Sequence, residues 1–95
     1  MKSAYELAME RLGGAVRQYT AEQKAELAEI DRLYDSKVVQ AKFDAAARRS
    51  QAGGDAEKLK QIDEDMALEI RSHEARRERR KEELRRTFDA AAGKP

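Results

Sequence analysis

The chain has no cysteine and no tryptophan, one proline, one histidine, and only three tyrosines and two phenylalanines. Without cysteine there is no disulfide, no thiolate-held zinc and no thiol nucleophile, which fits a reducing compartment. No apolar run follows Met1-Lys2-Ser3, and none elsewhere is long enough to cross a bilayer. The expectation is a cytoplasmic protein with no signal peptide and no membrane partner. A large excess of one charge is also missing. Twenty basic residues against 19 acidic ones leave a net charge of +1, so bulk charge draws the chain neither to nucleic acid nor to a membrane surface. What is abundant is charge of both signs, 41% of 95 residues. A compact globule of this size needs more large apolar side chains to offset the entropy of ordering the chain. The composition is that of long solvated helices.

Glycine punctuates this helical sequence at two places. The stretch Gln51-Ala52-Gly53-Gly54 is the main break, since a glycine pair ends a helix and tolerates the backbone needed to turn. Similar lengths of helical sequence lie before and after it, which predicts a hairpin. Upstream, Ser3-Ala-Tyr-Glu6 fits a capping box and predicts a short helix over 4–12. Tyr5, Ala8, Met9 and Leu12 share one face of it, and Leu7 widens that face. Gly13-Gly14 then forms a hinge. So short a helix is unstable alone and needs a surface to dock on. Residues 15–19 read as a connector, and Thr20-Ala-Glu-Gln23 is a second capping box. The predicted organisation is an amphipathic segment with its hinge over 1–14 and a helical hairpin over 15–95. The hairpin has a helix over about 20–50, a turn at 51–54 and a helix over about 55–91, with Asp55 as the second N-cap.

Both long helices carry one apolar row. In the first it runs Leu27, Ile30, Tyr34, Val38, Ala41, Ala45. In the second it runs Leu59, Ile62, Met66, Ile70, His73, Arg77, Lys81, Leu84, Phe88. Both rows step by three and four with an eleven-residue repeat, which describes nearly straight helix packing. Leu33, Val39 and Phe43 are expected to broaden the first row. A hairpin folded at the centre of 51–54 sets Tyr34 against Ile70 to His73, and Leu27 and Ile30 against Arg77 and its neighbours. One shared row buries little area for so much length. With Leu33, Val39, Phe43 and Leu68 lacking partners inside the chain, self-association is expected, most simply two hairpins forming a four-helix bundle.

Few constellations carry chemistry. Eight Lys/Arg against four Glu lie over 71–86, and two Lys against six Asp/Glu over 55–70. Arg76, Arg77, Arg79, Arg80 and Lys81 therefore form a candidate phosphate- or RNA-binding face. The plainer reading is that acid at the helix start and base at its end complement the helix dipole, with interleaved Glu making a solvated ion-pair face. Glu22, Glu26, Glu29 and Asp31 fall opposite the basic end and neutralise part of it, and no aromatic residue is interleaved for base stacking. His73 lacks the further ligands a metal site needs. Asp63-Glu64-Asp65 point in different directions on a helix and cannot share one ion. No catalytic set or phosphate loop can be assembled, so neither an enzyme nor a cofactor is expected. Tyr5, Leu7, Met9 and Leu12 are the candidate partner-binding residues, their amphipathic helix fitting either a partner's groove or the open end of its own hairpin.

Two stretches, Lys2-Ser-Ala-Tyr-Glu-Leu-Ala-Met-Glu-Arg-Leu12 and Thr20-Ala-Glu-Gln-Lys-Ala-Glu-Leu-Ala-Glu-Ile-Asp31, resemble the opening of small uncharacterised helical hairpin proteins from bacteria. The resemblance covers about the first third of the chain. It implies a bacterial cytoplasmic protein and carries over no activity and no site residue. The fold class expected is all-α: a short N-terminal helix followed by a long antiparallel two-helix coiled-coil hairpin. The function expected is a non-enzymatic coiled-coil interaction module (adaptor, scaffold or small chaperone-like), favouring a homodimer and binding an unidentified protein partner. The alternative is an RNA- or ribosome-associated protein.

Overall fold

The computed structural model of the chain describes Ala4 and residues 19–92. The expected N-terminal helix, the residues Tyr5, Leu7, Met9 and Leu12 on it, and the Gly13-Gly14 hinge lie outside the described residues. Within them the chain is all-helical, with α1 at Ala21–Ala52 and α2 at Ala56–Ala92 packed on one another.

Local chemistry sets the ends of both helices. Thr20 is extended, at φ −66° and ψ 164°, and its hydroxyl accepts from the Gln23 backbone N–H at 3.0 Å. The Gln23 side chain accepts in return from the Thr20 N–H at 3.0 Å, so two of the four unpaired donors of the first turn are satisfied together. Asp55 starts α2, its Oδ1 accepting from the N–H groups of Glu57 and Lys58 at 3.1 and 3.2 Å. Between the helices the Asp55 N–H reaches back to the Ala52 carbonyl at 3.3 Å.

The connection is tighter than the sequence suggests. Gln51 and Ala52 stay helical, leaving only Gly53, Gly54 and Asp55 to turn the chain. Gly53 alone takes positive φ, at φ 61° and ψ −130°, a region open only to glycine. Neither Gln nor Ala resists helix, so the break waits for the one residue that must leave it. Moving the centre of the turn toward Gly54 slides the pairing of the helices by about one turn of helix. Asp31 therefore meets Lys81 and Arg77, Asp35 meets Arg77, and Arg49 meets Asp63. The Arg80 guanidinium also reaches the Tyr34 ring, further along α2 than the expected Ile70 to His73.

The seam itself follows the two predicted rows. Tyr34, Ala41, Ala45 and Phe88 are buried, and every other member of the rows is half-buried. Alanines are the most enclosed side chains, at 3% and 4% exposure for Ala41 and Ala45, because small residues near the closed end let the two backbones approach. Leu33, Val39 and Phe43 do not broaden the seam, being 43%, 50% and 69% exposed. At 32 and 37 residues the helices run for about 48 and 55 Å. The radius of gyration is 19.4 Å, against about 12 Å for a compact domain of this length. The accessible surface is 7669 Å², against about 5,500 Å² for a compact chain of the same mass. The described residues form a rod with one shared row of contacts.

Candidate functional site

The basic stretch of α2 does not form one free cationic face. Helical spacing of about 100° per residue divides its five candidate residues among different directions. Arg77 and Lys81 continue the seam row and are turned onto α1. The Lys81 ammonium lies 3.0 Å from Asp31 Oδ1 and 3.1 Å from Oδ2, with its side chain only 16% exposed. The Arg77 guanidinium lies 3.9 Å from Asp31, 3.8 Å from Asp35 and 3.2 Å from Glu78. A row that is apolar at the closed end thus becomes an ion-pair layer toward the open end. Hydrogen-bonded counter-charges allow two cations to sit half-buried there.

Arg80 approaches the ring of the buried Tyr34, its guanidinium carbon 6.0 Å from the centroid, and the Lys37 ammonium lies at the same distance. Glu26, Glu29 and Glu83 share a shallow groove with Arg80, beside Ile30, Leu84 and Thr87. Arg80 is itself exposed, and among the described residues no ion pair holds it. Arg76 and Arg79 are exposed, and among the described residues no ion pair or hydrogen bond holds them. Arg85 and Arg86 share Glu82, at 3.6 and 3.8 Å. Of the five predicted residues, the structure turns Arg77 and Lys81 into ion pairs with α1 and leaves Arg76, Arg79 and Arg80 exposed.

His73 sits in the seam with its side chain 15% exposed. Its Nδ1 is buried without a hydrogen-bond partner, and its Nε2 is 3.7 Å from Glu69 Oε1, too long for a hydrogen bond. Among the described residues no three His, Cys, Asp or Glu side chains gather to hold a metal ion. No helix among them is long and apolar enough to cross a membrane.

Apolar surface is the other feature. Among the described residues, Leu33, Val39 and Phe43 on α1 and Leu68 on α2 are the large apolar side chains left exposed. Val39, Phe43 and Ala46 line an apolar groove with Lys42 at its edge. Leu68 lies beside Lys60, Asp63, Glu64 and Arg71, a charged neighbourhood.

Sequence reasoning missed three contacts. Asp35 was not recognised as a counter-ion of Arg77, because the expected register set it elsewhere. Tyr19, read as connector, is half-buried with its ring 5.7 Å from that of Phe88 at 58°. This tilted pair closes the open end of the hairpin, where aromatic rings prefer such an angle to a flat stack. The Tyr34–Arg80 contact follows from the same change of register. No family model matches the chain, and no curated protein or solved structure matches it.

Proposed function

We propose that the protein is a non-enzymatic coiled-coil interaction module that works as a self-associating hairpin. The observation that carries this reading is the exposed apolar surface on a rod that already uses its one seam. Leu33, Val39 and Phe43, at 43%, 50% and 69% exposure, share a helix with five charged side chains between residues 36 and 50. Contiguous exposed apolar surface on a small chain marks an interaction site. The grooves of the described residues are shallow and solvent-facing, a poor setting for desolvating a substrate. The N-terminal residues Tyr5, Leu7, Met9 and Leu12 are the proposed site for a further protein partner, on the strength of their amphipathic spacing.

The nucleic-acid alternative is weakened by the inward turn of Arg77 and Lys81 onto Asp31. It now rests on Arg76, Arg79 and Arg80. Native mass spectrometry of the protein purified at low salt separates the readings. A dimer carrying nothing else supports the interaction module. A monomer carrying RNA, lost when Arg76, Arg79 and Arg80 are together changed to Glu and lost steeply with rising salt, overturns it. Deleting residues 1–14 tests the N-terminal segment. The oligomer is expected to persist with its helicity intact, while binding to any identified protein partner disappears.

A further inference from the structure

The outer side of α1, away from the seam, carries a second packing pattern. Ser36, Val39, Phe43, Ala46 and Ser50 recur at steps of three, four, three and four. That is a heptad spacing, distinct from the eleven-residue repeat of the seam on the same helix. All five are exposed. The charged residues of the span, Lys37, Lys42, Asp44, Arg48 and Arg49, all fall off this line when the helix is turned at about 100° per residue. In a chain that is 41% charged, a helix face without charge over four turns is a surface kept for another helix. Small Ser and Ala beside Val39 and Phe43 leave room for that helix to come close.

We infer that this face binds the same face of a second copy, antiparallel about a two-fold axis, so that two hairpins join back to back through α1. The inference rests on the self-association proposed above and names its surface. Three features fit a second copy. First, the pattern is self-complementary. Setting Phe43 of one copy against Val39 of the other brings Ser36 against Ala46. One arrangement thereby covers Val39 and Phe43 of both copies, while Leu33, about 100° round the helix from this line, stays outside it. Second, the edges match in charge. The same register brings Asp35 of each copy near Arg49 of the other, and those side chains are 68% and 43% exposed. A parallel pairing sets Asp35 near Gln40 and gives Arg49 no acid. Third, the area is sufficient. At roughly 150–200 Å² for each large side chain, the exposed parts of Val39 and Phe43 amount to about 200 Å² per copy, or about 400 Å² for the pair. With the small and polar residues between them, the contact reaches about 1,000 Å², the lower end of specific interfaces. The dimer is therefore concentration-dependent.

The test is sedimentation of the full chain from about 1 to about 200 μM, the range in which an interface of this size assembles. The wild type is expected to pass from monomer to dimer. Phe43→Glu is expected to weaken the dimer by about 30-fold or more, as for a central anchor, with helicity unchanged by circular dichroism. Leu68→Glu, on the outer side of α2, is expected to leave the dimer intact. The chain has no cysteine, so single cysteines report orientation cleanly. Gln40→Cys, close to the two-fold axis, is expected to cross-link rapidly with a short bismaleimide. Ser50→Cys, about 27 Å from its copy along the axis, is expected not to. Equal cross-linking at both positions overturns the antiparallel arrangement. A dimer that survives Phe43→Glu unweakened overturns this surface while leaving self-association standing. A wild type that stays monomeric throughout overturns both.

Discussion

Two ion pairs of this hairpin are nearly equal in length and unequal in burial, which lets one experiment separate the two. Lys81 and Asp31 meet at 3.0 Å across the seam with side chains 16% and 40% exposed. Arg32 and Glu29 meet at 2.8 Å on the surface of α1 with side chains 74% and 68% exposed. If distance set the strength, the surface pair would be the stronger. Water screens it, however, and ordering two long exposed side chains costs entropy, so its net coupling is expected at about 0–0.5 kcal/mol. The seam pair acts through a lower effective dielectric, and losing one member leaves a half-buried charge without its nearest partner. Asp31 keeps some contact with water and Arg77 shares it, which holds the expected coupling to about 1–2 kcal/mol. The measurement is a double-mutant cycle for each pair, Asp31→Asn with Lys81→Met and Glu29→Gln with Arg32→Met. Urea unfolding is followed by circular dichroism at one protein concentration, because association adds to apparent stability. Raising salt to about 1 M should erase the surface coupling and leave most of the seam coupling. Equal couplings in the two cycles would refute the argument that burial ranks these pairs.

Four further substitutions probe the turn, the seam and the first cap. Gly53→Ala is expected to cost about 1–3 kcal/mol, because a Cβ at φ 61° and ψ −130° is strained even with open space around it. Gly54→Ala, with negative φ and nothing within 4 Å, is expected to be neutral or to stabilise by up to about 1 kcal/mol through the unfolded chain. Thermal unfolding of the two variants should therefore move in opposite directions. His73→Leu removes the unpartnered Nδ1 from the seam and is expected to stabilise by about 1 kcal/mol, raising Tm by about 4–8 °C. A lower Tm would mean that the imidazole makes a contact that leucine cannot replace. Thr20→Ala breaks both bonds of the capping box and is expected to cost about 0.5–2 kcal/mol in the same assay.

The seam was legible in the sequence because large apolar residues at helical spacing have no cheaper place to go. Each residue of the two rows, from Leu27 to Ala45 and from Leu59 to Phe88, is at least half-buried. The Thr20 and Asp55 caps were legible for a similar reason, since their side chains compete for the same unpaired N–H groups wherever a helix begins. The register was not, because a glycine pair marks a break to within two residues and a two-residue error slides every cross-helix pair by a turn. That slide hid Asp35 and moved Tyr34 toward Arg80. The basic cluster was misleading as a composition. Eight cations in sixteen residues read as one patch until the helix turns Arg77 and Lys81 into the seam. The outer line of α1 was the least legible, because Ser and Ala do not register as apolar. What marks it is the absence of charge, visible only when positions are placed around the helix.

The two helices differ in a way that bears on how far assembly can go. The side of α2 away from the seam holds Leu68 among Lys60, Asp63, Glu64 and Arg71. A single leucine in such surroundings is a poor anchor, because a partner would have to strip water from several charges to cover it. Over residues 36–50 the outer line of α1 has no charge to strip. One sticky side per hairpin, meeting its own copy about a two-fold axis, closes at two copies and leaves the charged sides of both α2 helices facing water. A second sticky side would instead propagate a filament. In the dimer proposed above, the charge on α2 would limit assembly as much as the apolar line on α1 would promote it. Changing Glu64 and Arg71 together to Ala should convert a closed dimer into larger species whose size grows with concentration. Light scattering across a dilution series checks this, and a variant that stays dimeric at the highest concentration would show that those two charges do not set the limit.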